Sequence, residues 1–216
     1  MKLIRTAACA LLCLTSLPSF ALSDQGQAQL QTLQDRWAEI NYQLPKEQRE
    51  KAFAKLSKQA QKAVAAEPNA AELQIWNGII LSTYAGAKGG LGALGLVKEA
   101  KVSLEQGLAL DPKALSGSAY TSLGSLYYQV PGWPVGFGDD EKAEATLKQA
   151  LAINPDGIDP NYLYGDYLVR AKRFEEAKVA LEKALQAPAR PDRLSADAGR
   201  KQEIQTLLST VKAELD

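Results

Sequence analysis

Residues 158–191 have the spacing of one complete helix–turn–helix unit of 34 residues. Small and apolar residues recur at fixed positions of two successive helices, and a proline that cannot continue a helix follows them. The markers are Asn161, Tyr164, Gly165, Leu168, Ala177, Leu181, Ala184 and Pro188. Tyr164 and Leu168 lie four residues apart and therefore face the second helix, while Gly165 allows the two backbones to approach. The pattern predicts two closely packed antiparallel helices.

A proline after a predicted helix end also recurs upstream, at the ends of the segments 63–68, 107–112 and 150–155. Such repetition predicts a stack of helix pairs. The predicted units are a degenerate pair at 24–68, repeats at 71–112, 117–155 and 158–191, and a capping helix at 195–215. The repeats at 71–112 and 117–155 each carry extra residues between their two helices, and both insertions are predicted at the same edge of the stack.

The markers match the tetratricopeptide repeat (TPR) pattern, so the chain resembles TPR proteins. This resemblance implies an all-α, TPR-type helix–turn–helix solenoid with a C-terminal capping helix, occupying residues 22–216. It also implies a module that binds other molecules. The predicted function is therefore a protein- or peptide-binding scaffold or adaptor that uses its concave face.

Residues 117–191 are also similar to the TPR-containing T component of periplasmic TRAP transporters. The similarity rests on Tyr127-Tyr128, on residues 131–139, and on residues 143–155 leading into Asn161-Tyr162 and Asp166-Tyr167. It implies a partner that is a substrate-binding protein, and it implies small hydrophobic ligands. Members of that group are often lipoproteins, and the chain lacks the cysteine that lipidation requires.

The first 21 residues have the layout of a secretory signal peptide. A basic start is followed by an apolar run from Thr6 to Leu17, and Ser19-Phe20-Ala21 predicts cleavage after Ala21. The run is shorter than the roughly 20 residues that span a bilayer, and no other segment is apolar enough to do so. The expected location is the periplasm, without a membrane span.

The composition gives little support for catalytic activity or cofactor binding. The chain has no histidine, and Cys9 and Cys13, its two cysteines, fall within the predicted signal peptide. Nucleophile–histidine pairs and the common zinc spacings are therefore excluded. We expect no enzyme activity, no catalytic residue, no cofactor and no metal. Beyond residue 21 the formal charge is about −2 without a basic run, which argues against a nucleic-acid partner.

Residues 90–95 read Gly-Leu-Gly-Ala-Leu-Gly, the letter pattern of a dinucleotide-binding loop. That loop works only between a strand and a helix. Here a predicted helix precedes it, so a flexible insertion between helices is the favoured interpretation.

Candidate binding residues lie in the second insertion and on the inner face of the stack. The insertion, residues 130–139, holds Trp133 and Phe137 among two prolines and three glycines. The aromatic residues either contact a partner or pack onto neighbouring helices, with Asp139 as the cap of the next helix. The inner face is predicted to carry Ile75, Ile79, Thr121, Ser125, Tyr128, Asp159, Tyr162, Asp166 and Arg170.

The predicted partner-binding residues are Tyr128, Trp133, Phe137, Asp159, Tyr162, Asp166 and Arg170. The alternative function is an accessory or carrier for a small hydrophobic ligand. In that case an apolar pocket lies beneath the 130–139 insertion and is bordered by Tyr128, Trp133, Phe137 and Tyr162.

Overall fold

The structure, a computed structural model, describes residues 22–216, and the predicted signal peptide lies outside this range. The described residues form nine α-helices and no strand. In chain order these are α1 (Asp24–Tyr42), α2 (Lys46–Ala66), α3 (Ala71–Lys88), α4 (Ala93–Leu110), α5 (Ser118–Gln129), α6 (Asp140–Ile153), α7 (Ile158–Arg170), α8 (Phe174–Leu185) and α9 (Leu194–Leu215). Each helix packs against the next one along the chain. The predicted all-α solenoid is confirmed.

Local polar contacts explain where several helices begin and end. The Ser23 hydroxyl accepts a hydrogen bond from the Gly26 amide at 3.0 Å, which caps the start of α1. The Asp139 carboxylate does the same for α6 by accepting from the Lys142 amide at 3.0 Å. Both side chains satisfy an amide that has no partner inside its own helix. The predicted role of Asp139 as a helix cap is confirmed.

The three regular helix pairs share one close contact between a glycine and a leucine. In α7 and α8, a Cβ atom on Gly165 would lie 2.7 Å from the Leu181 side chain. The equivalent contacts join Gly78 to Leu104 and Gly124 to Leu147. All three leucines are fully buried. Only a residue without a side chain allows the second helix this close, so the contact fixes how each pair packs.

The turns between the paired helices lie at one edge of the solenoid, which we call the loop edge (residues 89–92, 130–139 and 171–173). Each of these segments joins the C-terminal end of a first helix (α3, α5 or α7) to the second helix of its pair. The first helices pack side by side, α3 with α5 and α5 with α7. Their C-terminal ends therefore lie next to one another. The flexible insertion expected at 90–95 is wrong in part, because residues 93–95 belong to α4 and the extra residues of this repeat lengthen α3 and α4.

Helix α9 caps α8 and also reaches back to α1, so the first and last helices touch. Ala196 is buried in the same core as Trp37 and Trp76, and Gly199 lies against the ring of Tyr42. The side chain of Gln43 donates to the Ser195 hydroxyl at 3.0 Å. The solenoid is therefore closed on itself, which the repeat pattern did not predict. The predicted solvated face of α9 is partly covered by α1.

We expect a leucine at position 199 to weaken the closure between α9 and α1. A Cβ atom there would lie 2.3 Å from the Tyr42 ring, and overpacking of this kind costs about 1–3 kcal/mol. The free energy of unfolding, measured by urea denaturation, should fall by that amount in Gly199→Leu.

Gly86→Leu is the matched control, because a Cβ atom on Gly86 has no neighbour within 4 Å. Its stability should be unchanged or slightly higher, since leucine favours a helix over glycine. Equal losses in both variants would contradict the role of the Gly199–Tyr42 contact.

Candidate functional site

The inner face of the solenoid holds a half-open cavity of about 830 Å³. This volume lies within the range of small-molecule sites, roughly 300–1,000 Å³. Helices α1, α2, α3, α5, α7 and α9 all contribute to its wall. Four aromatic residues of α1, α2 and α3 belong to the lining, Trp37, Tyr42, Phe53 and Trp76, and we call them the aromatic wall. The same helices add polar and charged side chains, and α5 adds a polar stripe.

The polar wall comes mainly from one face of α5. Its lining residues are Ser118, Thr121, Ser122, Ser125 and Gln129, and each lies three or four residues from another member of the set. This spacing places them on one helical stripe. The predicted inner-face residues Thr121 and Ser125 therefore line the cavity, as does Ile79 of α3. Ile75 instead packs against Gly107 of α4 and is buried in the core, so its predicted inner-face position is wrong.

An ionic network joins α7 to α9 at the cavity wall. The Asp159 carboxylate accepts hydrogen bonds from Arg190 at 2.8 Å and from Arg200 at 2.9 Å. Arg190 also bonds Asp197, which is buried, and Arg200 bonds Glu203 at 2.6 Å. Hydrogen bonds between charged groups are short and strong, and this set links the start of α7 to two turns of α9.

The pKa of Asp159 reflects this network. Burial alone would raise the pKa of its carboxyl group, but the Arg200 and Arg190 guanidiniums outweigh burial and hold it at about 2. The same contact stabilises the charged arginines, because Asp159 raises the pKa of both Arg200 and Arg190 against the effect of their burial. The network is therefore fully charged near neutral pH.

Two predicted partner-binding residues, Asp159 and Tyr162, are engaged by α9. The Arg200 guanidinium lies 4.3 Å from the centre of the Tyr162 ring, a cation–π contact. Burial raises the pKa of the Tyr162 hydroxyl to about 12. Both residues contact the chain's own last helix. The repeat pattern of 158–191 carries no signal for this contact, since Arg200 lies outside the repeat.

Three further predicted residues, Tyr128, Asp166 and Arg170, form one cluster between α5 and α7. The Tyr128 hydroxyl donates to the Asp166 carboxylate at 2.7 Å. Arg170 lies 3.8 Å from the same carboxylate and 5.2 Å from the centre of the Tyr128 ring. Burial and the adjacent Asp166 charge raise the pKa of Tyr128, so its hydroxyl remains a donor. Arg170 is the exposed member of the cluster.

The insertion at 130–139, which we call the Trp133 loop, is held by its own hydrogen bonds. The Gly138 amide donates to the Pro131 carbonyl at 3.0 Å, and the Asp139 amide donates to the Tyr127 carbonyl at 2.8 Å. A Cβ atom on Gly138 would lie 1.9 Å from the Val130 carbonyl oxygen, so the turn is tight. These contacts give the loop a defined shape.

The two aromatic residues of the Trp133 loop lie in different environments. Phe137 packs edge-on against Tyr127 at 6.0 Å between ring centres, and the Lys101 ammonium lies 5.8 Å from its ring centre. Trp133 is 90% exposed at the tip of the loop, and Val135 beside it is 51% exposed. The packing alternative therefore holds for Phe137 and is wrong for Trp133.

The cavity and the Trp133 loop are separate features. Gln129 lines the cavity, but no residue of 130–139 does. Of the seven predicted binding residues, Asp159 alone is among those that line it. None of the four residues expected to border a pocket beneath the loop, Tyr128, Trp133, Phe137 and Tyr162, lines this cavity. The part taken by the seven residues in binding a partner stays a prediction.

Sequence reasoning did not single out Trp37, Trp76 or Arg193 as site residues. Trp37 and Trp76 pack edge-on at 5.9 Å between ring centres, and Arg193 lies over the Trp76 ring at 4.8 Å. The tryptophans read as core residues at helical spacing, and they are indeed almost fully buried. The two tryptophans meet through the packing of α1 on α3, whereas Arg193 reaches Trp76 from the turn that precedes α9.

Residues 136–196 match the family model of the tetratricopeptide repeat. Among solved structures, the chain is similar to TTC0263, a thermophilic TPR protein of Thermus thermophilus, with 16% identity, a TM-score of 0.46, and coverage of 87% of this chain and 99% of that chain. It is also similar to two structures of MamA, at 21% and 20% identity, with TM-scores of 0.41 and 0.39. These cover 78% and 87% of this chain and 92% of each MamA chain. No curated protein matches the chain.

Within residues 22–216, no group of three or more acidic side chains is placed to hold a metal ion. No helix in that range is long and apolar enough to cross a membrane.

We expect the charge on Asp159 to stabilise the fold near neutral pH. Its pKa of about 2 lies below the ordinary value of 3.8, which corresponds to about 2 kcal/mol. Because the pKa is lowered on folding, this stabilisation is present above about pH 4 and is lost as the pH falls towards 2. In urea denaturation, Asp159→Asn should be about 2 kcal/mol less stable than the wild type at pH 7. The difference should shrink progressively between about pH 4 and pH 2.

Asp156→Asn is the control, since the Asp156 side chain is 76% exposed and pairs with Lys183 at 3.2 Å. An exposed pair of this kind contributes little. A loss in Asp159→Asn that stayed constant as the pH fell would show that the carboxylate charge is not the cause.

Proposed function

We propose that the chain, in which residues 136–196 match the tetratricopeptide repeat, is a protein-binding scaffold of the periplasm that holds its partner at the Trp133 loop and the adjoining inner face. Proteins built from this repeat serve in general as interaction scaffolds and not as enzymes.

The observation that carries the proposal is the exposed indole of Trp133 on a loop of defined shape. Burying an aromatic side chain of this size removes roughly 150–250 Å² of surface from water. Tryptophan is also enriched among the few residues that dominate binding energy at interfaces. The hydrogen bonds of the loop and the packing of Phe137 hold the indole outward before any partner arrives. Little conformational freedom is then lost on binding.

The cluster of Tyr128, Asp166 and Arg170 extends this surface onto the inner face. Tyr128 precedes the loop on α5, and the exposed Arg170 ends α7 at the same loop edge. A partner seated on Trp133 can therefore reach a guanidinium on the concave side. Further along that side, α9 contacts Asp159 and Tyr162. The partner is therefore assigned to the rim of the concave face.

The proposed location rests on the signal-peptide pattern of residues 1–21. The full-length chain expressed in a Gram-negative host should appear in the periplasmic fraction with Leu22 as its first residue. A chain that starts at residue 22 after an initiator methionine should stay in the cytoplasm. Equal distribution of both chains would overturn the proposed location.

We expect Trp133→Ala to weaken partner capture from a periplasmic extract of the source organism. Loss of a tryptophan anchor costs about 2 kcal/mol or more, which is a decrease in affinity of roughly 30-fold. The measurement is quantitative recovery of the captured proteins on immobilised wild-type and variant chains.

Val179→Ala is the matched control, because Val179 is also an exposed apolar side chain, at 67%, and lies on α8 away from the loop edge. Its recovery should equal that of the wild type. A partner recovered equally on Trp133→Ala and wild-type chains would exclude the loop as its contact.

The cavity favours a second function, the carriage of a small apolar molecule. Its volume of about 830 Å³ and its aromatic wall are the supporting observations. The carrier function predicts that solvent extraction of chain purified from its native compartment releases a small organic compound in stoichiometric amount, detectable by mass spectrometry. Extracts free of such a compound would count against it.

A further inference from the structure

Arg193 is a cation at the cavity wall that forms no ion pair with a carboxylate of residues 22–216. It follows Asp192 in the short turn before α9, and its guanidinium lies 4.8 Å from the centre of the Trp76 ring. A cation–π attraction holds the guanidinium there, but the ring does not accept hydrogen bonds from the N–H groups that lie in the guanidinium plane. Within residues 22–216 its side chain has neither an ion pair nor a hydrogen bond. The N–H donors of its guanidinium are therefore available to a ligand.

The other two arginines of this wall differ from Arg193 in their surroundings. Arg190 and Arg200 share the Asp159 carboxylate, and the attraction to it raises the pKa of both despite their burial. Burial and the nearby Arg190 charge instead lower the pKa of Arg193. Arg193 remains protonated at neutral pH, because arginine pKa values lie far above neutrality. Its positive charge is the least compensated of the three.

The unpaired charges of the cavity lining are mostly positive. Lys46 and Arg49, at the start of α2, also line the cavity and form no ion pair within the described range. The Arg49 Nε atom donates to the Leu44 carbonyl at 3.0 Å, which leaves its other donors unused. Among the lining carboxylates in the described range, Asp192 is the one without a basic partner. The cavity thus has three unpaired cations against one unpaired carboxylate.

We infer that the cavity binds a small organic anion, whose apolar body lies along the aromatic wall and whose carboxylate or sulfonate group accepts hydrogen bonds from Arg193. The inference rests on the proposed carrier function and specifies its ligand class. Guanidinium and carboxylate match as planar, bidentate partners. Trp76 belongs both to the aromatic wall and to the Arg193 contact, so a ligand that bridges the two satisfies the charge and the apolar surface together.

The test uses two fluorescent dyes that share one apolar body. They are 8-anilinonaphthalene-1-sulfonate, the anion, and N-phenyl-1-naphthylamine, which lacks the sulfonate. Titration of the full mature chain should show one binding site, with roughly tenfold or higher affinity for the anion. Arg193→Gln should remove roughly tenfold or more of the affinity for the anion and leave that for the neutral dye unchanged. Arg193→Lys keeps the charge without the planar donors, so its affinity for the anion should lie between those of the wild type and Arg193→Gln.

Two further variants control for location. Ser122→Trp puts an indole into the cavity from the polar wall of α5, and it should lower the affinity for both dyes. Arg36→Gln removes a half-exposed arginine that pairs with Glu39 and does not line the cavity, and it should change the affinity for neither dye. Circular dichroism and urea denaturation confirm that each variant is folded before titration.

The outcomes separate the inference from the carrier function. Equal affinity for both dyes, with no effect of Arg193→Gln, would overturn the anion site and leave an apolar cavity in place. Failure of both dyes to bind would count against the carrier function as well. Binding of both dyes that Ser122→Trp leaves unchanged would place them elsewhere and overturn the inference. If Arg193→Gln fails to fold, the Arg193→Lys result and the preference of the wild type between the dyes decide the question.

Discussion

The contact between α9 and α1 determines the inner surface of this protein. An open stack of helix pairs presents its first helices to solvent as a shallow groove. Here the absence of a side chain at Gly199 lets α9 lie against Tyr42, and Ala196 enters the core that holds Trp37. The groove becomes a cavity to whose wall both α1 and α9 contribute. The ionic network around Asp159 and the position of Arg193 over Trp76 both depend on this closure.

The features that follow from short-range pattern could be predicted from the sequence. Gly165 with Leu181, together with the equivalent residues of two other pairs, indicated the helix pairs, since such contacts depend on spacing along two adjacent helices. The cap at Asp139 followed from its position before a helical stripe. The fold class was therefore predictable although two of the pairs carry insertions.

The features that depend on contacts between distant parts of the chain could not be predicted. Asp159 and Tyr162 have the composition of a recognition surface, but Arg200 contacts both, and no repeat pattern encodes which face of α9 turns inward. Ile75 was placed on the wrong face of its helix, because apolar residues on a first helix can face either the second helix or the groove. The exposure of Trp133 was hard to predict for the same reason, since an aromatic residue in a loop can either pack or project into solvent. Only the tertiary structure shows that Trp133 is exposed and Phe137 is packed.

The closure also changes how the fold should lose its structure. In a linear repeat array each unit contacts only its neighbours, so terminal units fray first and unfolding proceeds along the stack. Among the described residues, the hydrogen bond from Gln43 to Ser195 and the packing of Gly199 on Tyr42 connect the end of α1 to α9. Such contacts raise the contact order and delay the last step of folding until the whole array has formed. The two terminal helices then protect one another, and local opening at either end exposes the interior of the cavity.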